Sequence, residues 1–327
     1  MLQAAILAVF LMQAGEAPPP SSSAPSAEQV APGVYLIRGA MAPQRGPDGN
    51  SVVFVGRAGL AVVDTGRHSW HSDAILSFAR DRGRPIQAIL NTHWHLDHSS
   101  GNGRLRAVYP RARVYTTTAV DRALGADGFL TRNLADAPAM LSGDQLSNIQ
   151  KDEVRIFIAT MEERDMLRPQ VPVTRSHRMR FAGVPLDVHV TDGAVTDADL
   201  WLYDRRSGVA VLGDLVTLPA PFFETACPAQ WSAALDEVWA TPFTLAIPGH
   251  GEPMSRAQFD TYRAAFNAFI GCVNSDAEAA HCAAGWAGGI ASLEPLNADL
   301  HRAAAPYAEY YVGFLREGGG KSRDCLH

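Results

Sequence analysis

Four side chains able to bind a metal ion fall within six residues of the 327-residue chain: His93, His95, Asp97 and His98, in the stretch HWHLDH. Imidazole nitrogen and carboxylate oxygen are common zinc ligands, and hydrolytic zinc sites keep a position open for water. His93 and His95 alternate along an extended segment and can point the same way, whereas Asp97 and His98 turn off in the following loop and can serve a second ion. Two ions roughly 3.5–4 Å apart would share a hydroxide and lower its pKa toward neutrality. Unrelated polar loop residues do not cluster this densely.

Such a cluster needs elements to hold it. From Val30, the segments GVYLIRG, NSVVFVG and GLAVVDTG read as consecutive strands of a mainly antiparallel sheet, each bounded by Gly, Pro, Asn or Asp. HSWHSDAILSFARDRG carries Trp70, Ala74, Ile75, Phe78 and Ala79 at helical spacing. PIQAILNTHWH reads as a buried strand ending at the histidines, which places the donors on the loop after a strand, where α/β folds put chemistry. Residues 117–174, rich in Ala, Leu and charge, read as a helical insertion. Strands resume at HRMRFAG, VPLDVHVT, DLWLYD and VAVLGDLV, followed by a helix in PAQWSAALDEVWA and a strand in FTLAIPGHG. The core domain is expected to run over 30–275, with a helical C-terminal extension over 276–327.

A hydrophobic content of 47% is ample for a packed core, and the net charge of −6, with Lys and Arg scattered, leaves no basic stripe for nucleic acid. Residues 1–17, MLQAAILAVFLMQAGEA, read as a signal peptide whose apolar run is too short to span a bilayer, and 18–29 as a Pro/Ser-rich linker. No stable membrane span is expected after cleavage, and the expected location is periplasmic or secreted. The four cysteines, Cys227, Cys272, Cys282 and Cys325, form no CxxC pair, and an even count in an exported chain suggests disulfides. All three pairings are open, although Cys272 with Cys282 would close a short loop.

Taken in order, the motifs resemble those of the metallo-β-lactamase superfamily over about Val30 to Arg256. VVDTG, with Asp64, is similar to the family's first motif, whose aspartate supports the metal site from behind. THWHLDH is similar to the second, with His93, His95, Asp97 and His98 as ligands. VLGDLV puts Asp214 where the family has the carboxylate that bridges two metals, and IPGHG puts His250 where it has the last ligand of the second metal. The resemblance implies an α/β, four-layer αββα sandwich and a zinc cofactor. One element departs: GAVTDADLWLYD stands where members with this arrangement have a histidine in a segment like GAHTDGD, so the ligand position is Val195. A first site would then keep His93, His95 and Asp214, while Asp97, His98, Asp214 and His250 complete the second. One zinc per chain is expected, with two as the alternative. His189, on an apparent strand, reads as a structural residue, and Asp197 as a turn residue. Cys227 is surplus to the ligands, because the cysteine some members use occupies the place Asp214 fills.

The implied activity is that of an exported zinc-dependent metallohydrolase. Metal-bound hydroxide would cleave an ester, lactone or amide bond of a small-molecule substrate, and Asp97 would orient the hydroxide or receive its proton. Pro219, Pro221, Phe222, Phe223 and Trp231 either wall an apolar pocket beside the metals or pack under the following helix. The patterns GDxVxxPxPF and CPxxW look most like those of exported zinc metallohydrolases that accompany quinoprotein dehydrogenase systems, which implies association with such a system. The competing reading is a catalytically impaired metal-binding pseudoenzyme, and the third a β-lactamase. His68, His71, His177, His281, His301 and His327 lie outside every motif and are assigned to surface or core.

Overall fold

The computed structural model describes residues 25–293 and 298–326. The signal peptide expected over 1–17 and most of the linker expected over 18–29 lie outside the described residues. The chain divides into two compact units between Leu186 and Asp187.

The first unit carries a seven-stranded sheet in the order β1 (Ala27–Ala31), β2 (Val34–Ile37), β3 (Ser51–Val55), β4 (Leu60–Val63), β5 (Ile86–Leu90), β6 (Arg113–Thr116), β7 (Val171–Pro172). β1 to β4 pair antiparallel and β4 to β7 parallel, so the sheet is mixed rather than mainly antiparallel. The parallel steps follow from the helices that cross over between these strands. β1 begins inside the stretch assigned to the linker; AEQVA is a half-buried edge strand, without the apolar run that marks its neighbours. Helix α1 (Ser69–Asp81) buries Ala74, Ile75, Phe78 and Ala79 in one cluster with Tyr35, Ile37, Val53, Val62 and Ile89. Burial of side chains the size of Ile75 and Phe78 contributes about 1.5–3 kcal/mol each. Trp70, expected in that stripe, is instead 37% exposed, because its indole N–H donates to Asp48 and its ring stacks on His68. After β5 come a single turn, α2 (Leu96–Ser99), and α3 (Asn102–Val108). The stretch 117–174 holds α4 (Ala119–Ala123), α5 (Phe129–Ser142) and α6 (Asn148–Glu162), the last opened by a reciprocal Ser147–Gln150 capping box.

The second sheet runs in the order β13 (Met254–Ser255), β12 (Leu245–His250), β11 (Val209–Thr217), β10 (Ala198–Asp204), β9 (Val184–Asp192), β8 (His177–Phe181). β9, β10 and β11 are antiparallel, whereas β11 and β12 are parallel across helix α7 (Pro228–Ala240). Every residue of β11 is buried, as its nearly unbroken apolar sequence requires. Three further helices follow: α8 (Arg256–Val273), α9 (Ala279–Ile290) and α10 (Ala298–Glu317). Trp286 and Ile290 of α9 and Val312 and Leu315 of α10 share one core with Trp201, Phe223, Trp231 and Phe266. The last two helices, within the stretch expected as a C-terminal extension over 276–327, contribute to the core of the second unit. Disulfides Cys227–Cys325 and Cys272–Cys282 staple the same unit. Among the described residues no helix is long and apolar enough to cross a membrane.

Candidate metal centre

In the first unit the parallel pair β4–β5 ends side by side, and the two strand ends place Asp64 next to the histidine loop. The Asp64 N–H donates to the carbonyl of Leu90 at 2.8 Å, and the Thr92 N–H donates to Asp64 Oδ1 at 2.8 Å. Asp64 Oδ2 accepts both the Thr92 hydroxyl and His98 Nδ1–H, each at 2.8 Å. With its hydroxyl proton committed to Asp64, Thr92 Oγ1 accepts from His93 Nδ1–H at 3.0 Å. Both imidazoles are thus set in the tautomer whose lone pair lies on Nε2. Burial pushes the Asp64 carboxyl up, against the opposing hydrogen bonds from His98 and Thr92.

The rings of His95 and His98 each lie 4.4 Å from that of His93, and His98 Nε2 is 3.6 Å from Asp97 Oδ2. All four residues are buried. Two asparagines brace the loop: Asn91 donates to the carbonyl of His98 at 3.0 Å, and Asn102 donates back to Asn91 at 2.8 Å. Gly49 lies against the His98 ring, where a Cβ would fall 2.4 Å from the ring carbon, so only glycine lets the imidazole take this seat.

In the second unit, buried Asp214 lies on β11 and buried His250 ends β12, with His250 Nε2 3.5 Å from Asp214 Oδ1. A Cβ on Gly249 would fall 2.0 Å from Asp214 Oδ1, which explains glycine before His250. Val195 is 1% exposed and packs in the second unit's core. Its N–H donates to Asp199 at 2.9 Å and its carbonyl accepts from the Thr225 hydroxyl at 2.8 Å. Burial, reinforced by the nearby charge of Asp214, pushes Asp199 up to about 7 despite its hydrogen bonds from Thr196 and Val195. His189 stacks on Trp201 at 3.7 Å and lies 3.5 Å from Glu237, the structural role expected of it. Phe223 and Trp231 are fully buried core residues, so packing under α7 accounts for them better than a pocket wall does. Cys227 is a disulfide cysteine and takes no ligand role.

Some residues that hold these candidate ligands carry no motif. Asn91 and Asn102 bracket the histidine loop in NTHWHLDHSSGN, where the donor pattern points only to His93, His95, Asp97 and His98. His68, assigned to surface or core, is buried between two carboxylates contributed from distant parts of the chain.

The donors fit a divalent cation: buried neutral imidazoles fixed to present Nε2, carboxylates beside them, and glycines where a side chain would displace a ligand. The family model of the metallo-β-lactamase superfamily matches residues 45–250. The chain belongs to this superfamily. Among curated members it is 25% identical over 214 residues to a linear primary-alkylsulfatase from Pseudomonas sp. (strain ATCC 19151), covering 60% of this chain and 40% of that protein. It is 45% identical over 51 residues to a hydroxyacylglutathione hydrolase from Synechococcus sp. (strain JA-2-3B'a(2-13)), covering 16% of this chain and 20% of that one. The chain thus spans well under half the length of either relative. The solved structure of a stereoselective inverting sec-alkylsulfatase from Pseudomonas sp. shares the fold, with a TM-score of 0.58 at 17% identity, covering 95% of this chain and 54% of that one. Two mixed sheets with helices, and further helices at the C-terminus, are the α/β fold expected of a superfamily member.

Proposed function

We propose that this superfamily member is an exported metal-dependent hydrolase that cleaves an ester, lactone or amide bond of a small molecule. The observation that carries the reading is the Asp64–Thr92–His93 and Asp64–His98 hydrogen bonding, which holds two imidazoles ready to donate from Nε2. The motifs supply two ligand sets for this reading, Asp97, His98, Asp214 and His250, and the smaller set His93, His95 and Asp214. The second is short of one imidazole, which we assign to the position of Val195. Zinc is the proposed metal, with one ion per chain and the four-ligand set filled first.

A bound divalent ion supplies Lewis acidity toward the scissile oxygen and acidifies the attacking water. Asp97 orients that water and takes its proton. Asp64 keeps His98 in the donating tautomer, and burial of the whole set keeps bulk water from competing. The curated relatives, an alkylsulfatase and a hydroxyacylglutathione hydrolase, favour an ester-type bond. Two disulfides support an oxidising compartment, and the Asp214–Trp231 stretch supports association with a periplasmic quinoprotein system.

The buried, core-packed Val195 favours a second reading, an impaired metal-binding pseudoenzyme. Metal analysis with a screen of carboxylic, sulfuric and lactone esters separates the two. The hydrolase reading expects close to one zinc per chain and metal-dependent turnover. His250→Ala should strip the zinc, and Val195→His should raise metal content and turnover together. Two tightly held zincs in the unaltered chain would overturn the assignment of Val195, and zinc without turnover of any ester class would favour the pseudoenzyme.

A further inference from the structure

The loop that carries Gly49 is tied to the insertion through a buried histidine. Asp48 Oδ1 accepts the backbone N–H groups of Arg67 and His68 at 2.7 and 2.9 Å, and Oδ2 accepts His68 Nδ1–H at 2.9 Å. On the other side of the ring, His68 Nε2 lies 3.1 Å from both carboxylate oxygens of Glu153 on α6. Glu153 also accepts from Arg45 Nη1 and the Gly46 N–H, at 3.0 and 3.1 Å. Neutral imidazole has one N–H, yet here both ring nitrogens face carboxylates that already accept from other donors, an arrangement that favours imidazolium. All three residues are buried, and the Trp70 ring covers the imidazole at 3.9 Å.

The consequence reaches the histidine loop in one residue. Next to Asp48, the Gly49 N–H donates to the carbonyl of Asp97 at 2.9 Å, and Gly49 packs on His98. We propose that His68 is a positioning residue: as an imidazolium held between Asp48 and Glu153, it locks α6 to the loop that seats Asp97 and His98, so the insertion and the seat loosen together when it loses its charge.

The groups facing His68 are Asp48 from the loop, Glu153 from α6, and His71 from the first turn of α1, with Arg45 and Arg67 beside Glu153. Burial works against charge on His68, but the hydrogen bonds and charges of Asp48 and Glu153 outweigh it and raise its pKa above the ordinary 6.5. Burial likewise pushes both carboxyls up, yet hydrogen bonds and charge from His68 hold them below their usual values. A raised imidazole contributes stability that is present below its unfolded value and lost as pH climbs through the folded one; lowered carboxylates contribute stability lost only in acid. The clamp therefore opens on the alkaline side.

The test is amide hydrogen exchange of the full chain at about pH 6 and about pH 9, corrected for intrinsic rates, on peptides spanning 40–50 and 148–162. In the unaltered protein both peptides should be protected at the lower pH and lose protection together, by about tenfold or more, at the higher. His68→Gln should loosen both at the lower pH and abolish the pH dependence, and Glu153→Gln should do the same if the first variant fails to fold. Protection that ignores pH in the unaltered chain, or loosening of 148–162 without 40–50, would overturn the proposal. The role for the ligand seat rests on the metal assignment above, but exchange is read on metal-free protein too. A chain that binds no zinc would sink the hydrolase reading and leave this outcome standing.

Discussion

Asp64 stands at φ 58°, a conformation costly for most side chains but tolerated by aspartate, and it spends both oxygens on the histidine loop. Asn at this position would offer one acceptor where two are needed and turn an N–H toward another donor. With His98 as the metal ligand proposed above, Asp64→Asn should weaken zinc binding by roughly 10–100-fold, the usual cost of losing an outer partner of a ligand histidine. A competitive zinc titration measures this, and unchanged affinity would remove Asp64 from the supporting role. His93, His95, Asp97 and His98 were legible because they are dense and local, and Asp64 because its motif is contiguous. His68 was not, since its partners lie 20 residues before it and 85 after it, in segments with no periodic signal. Chemistry concentrated along the chain can be read from one strand end, whereas chemistry assembled by tertiary contact cannot.

At the scale of elements, the buried strands announced themselves as apolar runs, but the loop between β11 and α7 was ambiguous because its aromatics suit a pocket as well as a core. Phe223 fills the core, and the next residue, Glu224, is carried inside with it, 4% exposed, its Oε1 accepting from the Tyr310 hydroxyl of α10 at 3.3 Å. Burial pushes Glu224 up to about 7 from an ordinary 4.5, the Tyr310 hydrogen bond opposing only part of this. The folded state thus holds a proton that the unfolded state releases, so stability is full below about 4.5 and declines as pH rises through about 7. Glu224→Gln keeps an acceptor for Tyr310 without the ionisable group. It should leave stability little changed at about pH 5 and raise it at about pH 9, by at most about 3 kcal/mol, in urea unfolding. A gain of equal size at both pH values would show that ionisation is not the cause.

For the whole molecule, the two disulfides differ in what they constrain. Cys272–Cys282 closes a loop of sequence separation 10 and joins α8 to α9, helices that already adjoin in sequence. Cys227–Cys325 has a separation of 98 and pins the end of the chain to the start of α7. Hydrogen bonds repeat the second tie: the Ser322 N–H donates to the carbonyl of Ala226 and the Cys227 N–H to that of Ala194, so the chain end, the α7 loop and the turn bearing Val195 form one connected path. Loop-closure entropy scales with the logarithm of loop length, giving about 5 kcal/mol for the long bridge and about 3 kcal/mol for the short one. Cys325→Ser should therefore lower stability more than Cys282→Ser, each compared in a background with its partner cysteine also changed to serine. Zinc affinity should follow the same order if the chain end steadies the Val195 turn, because only the long bridge lies on that path. Equal losses from the two bridges in denaturant, or zinc binding disturbed more by the short bridge, would show that the C-terminal helices steady the second unit through their packing and not through this tether.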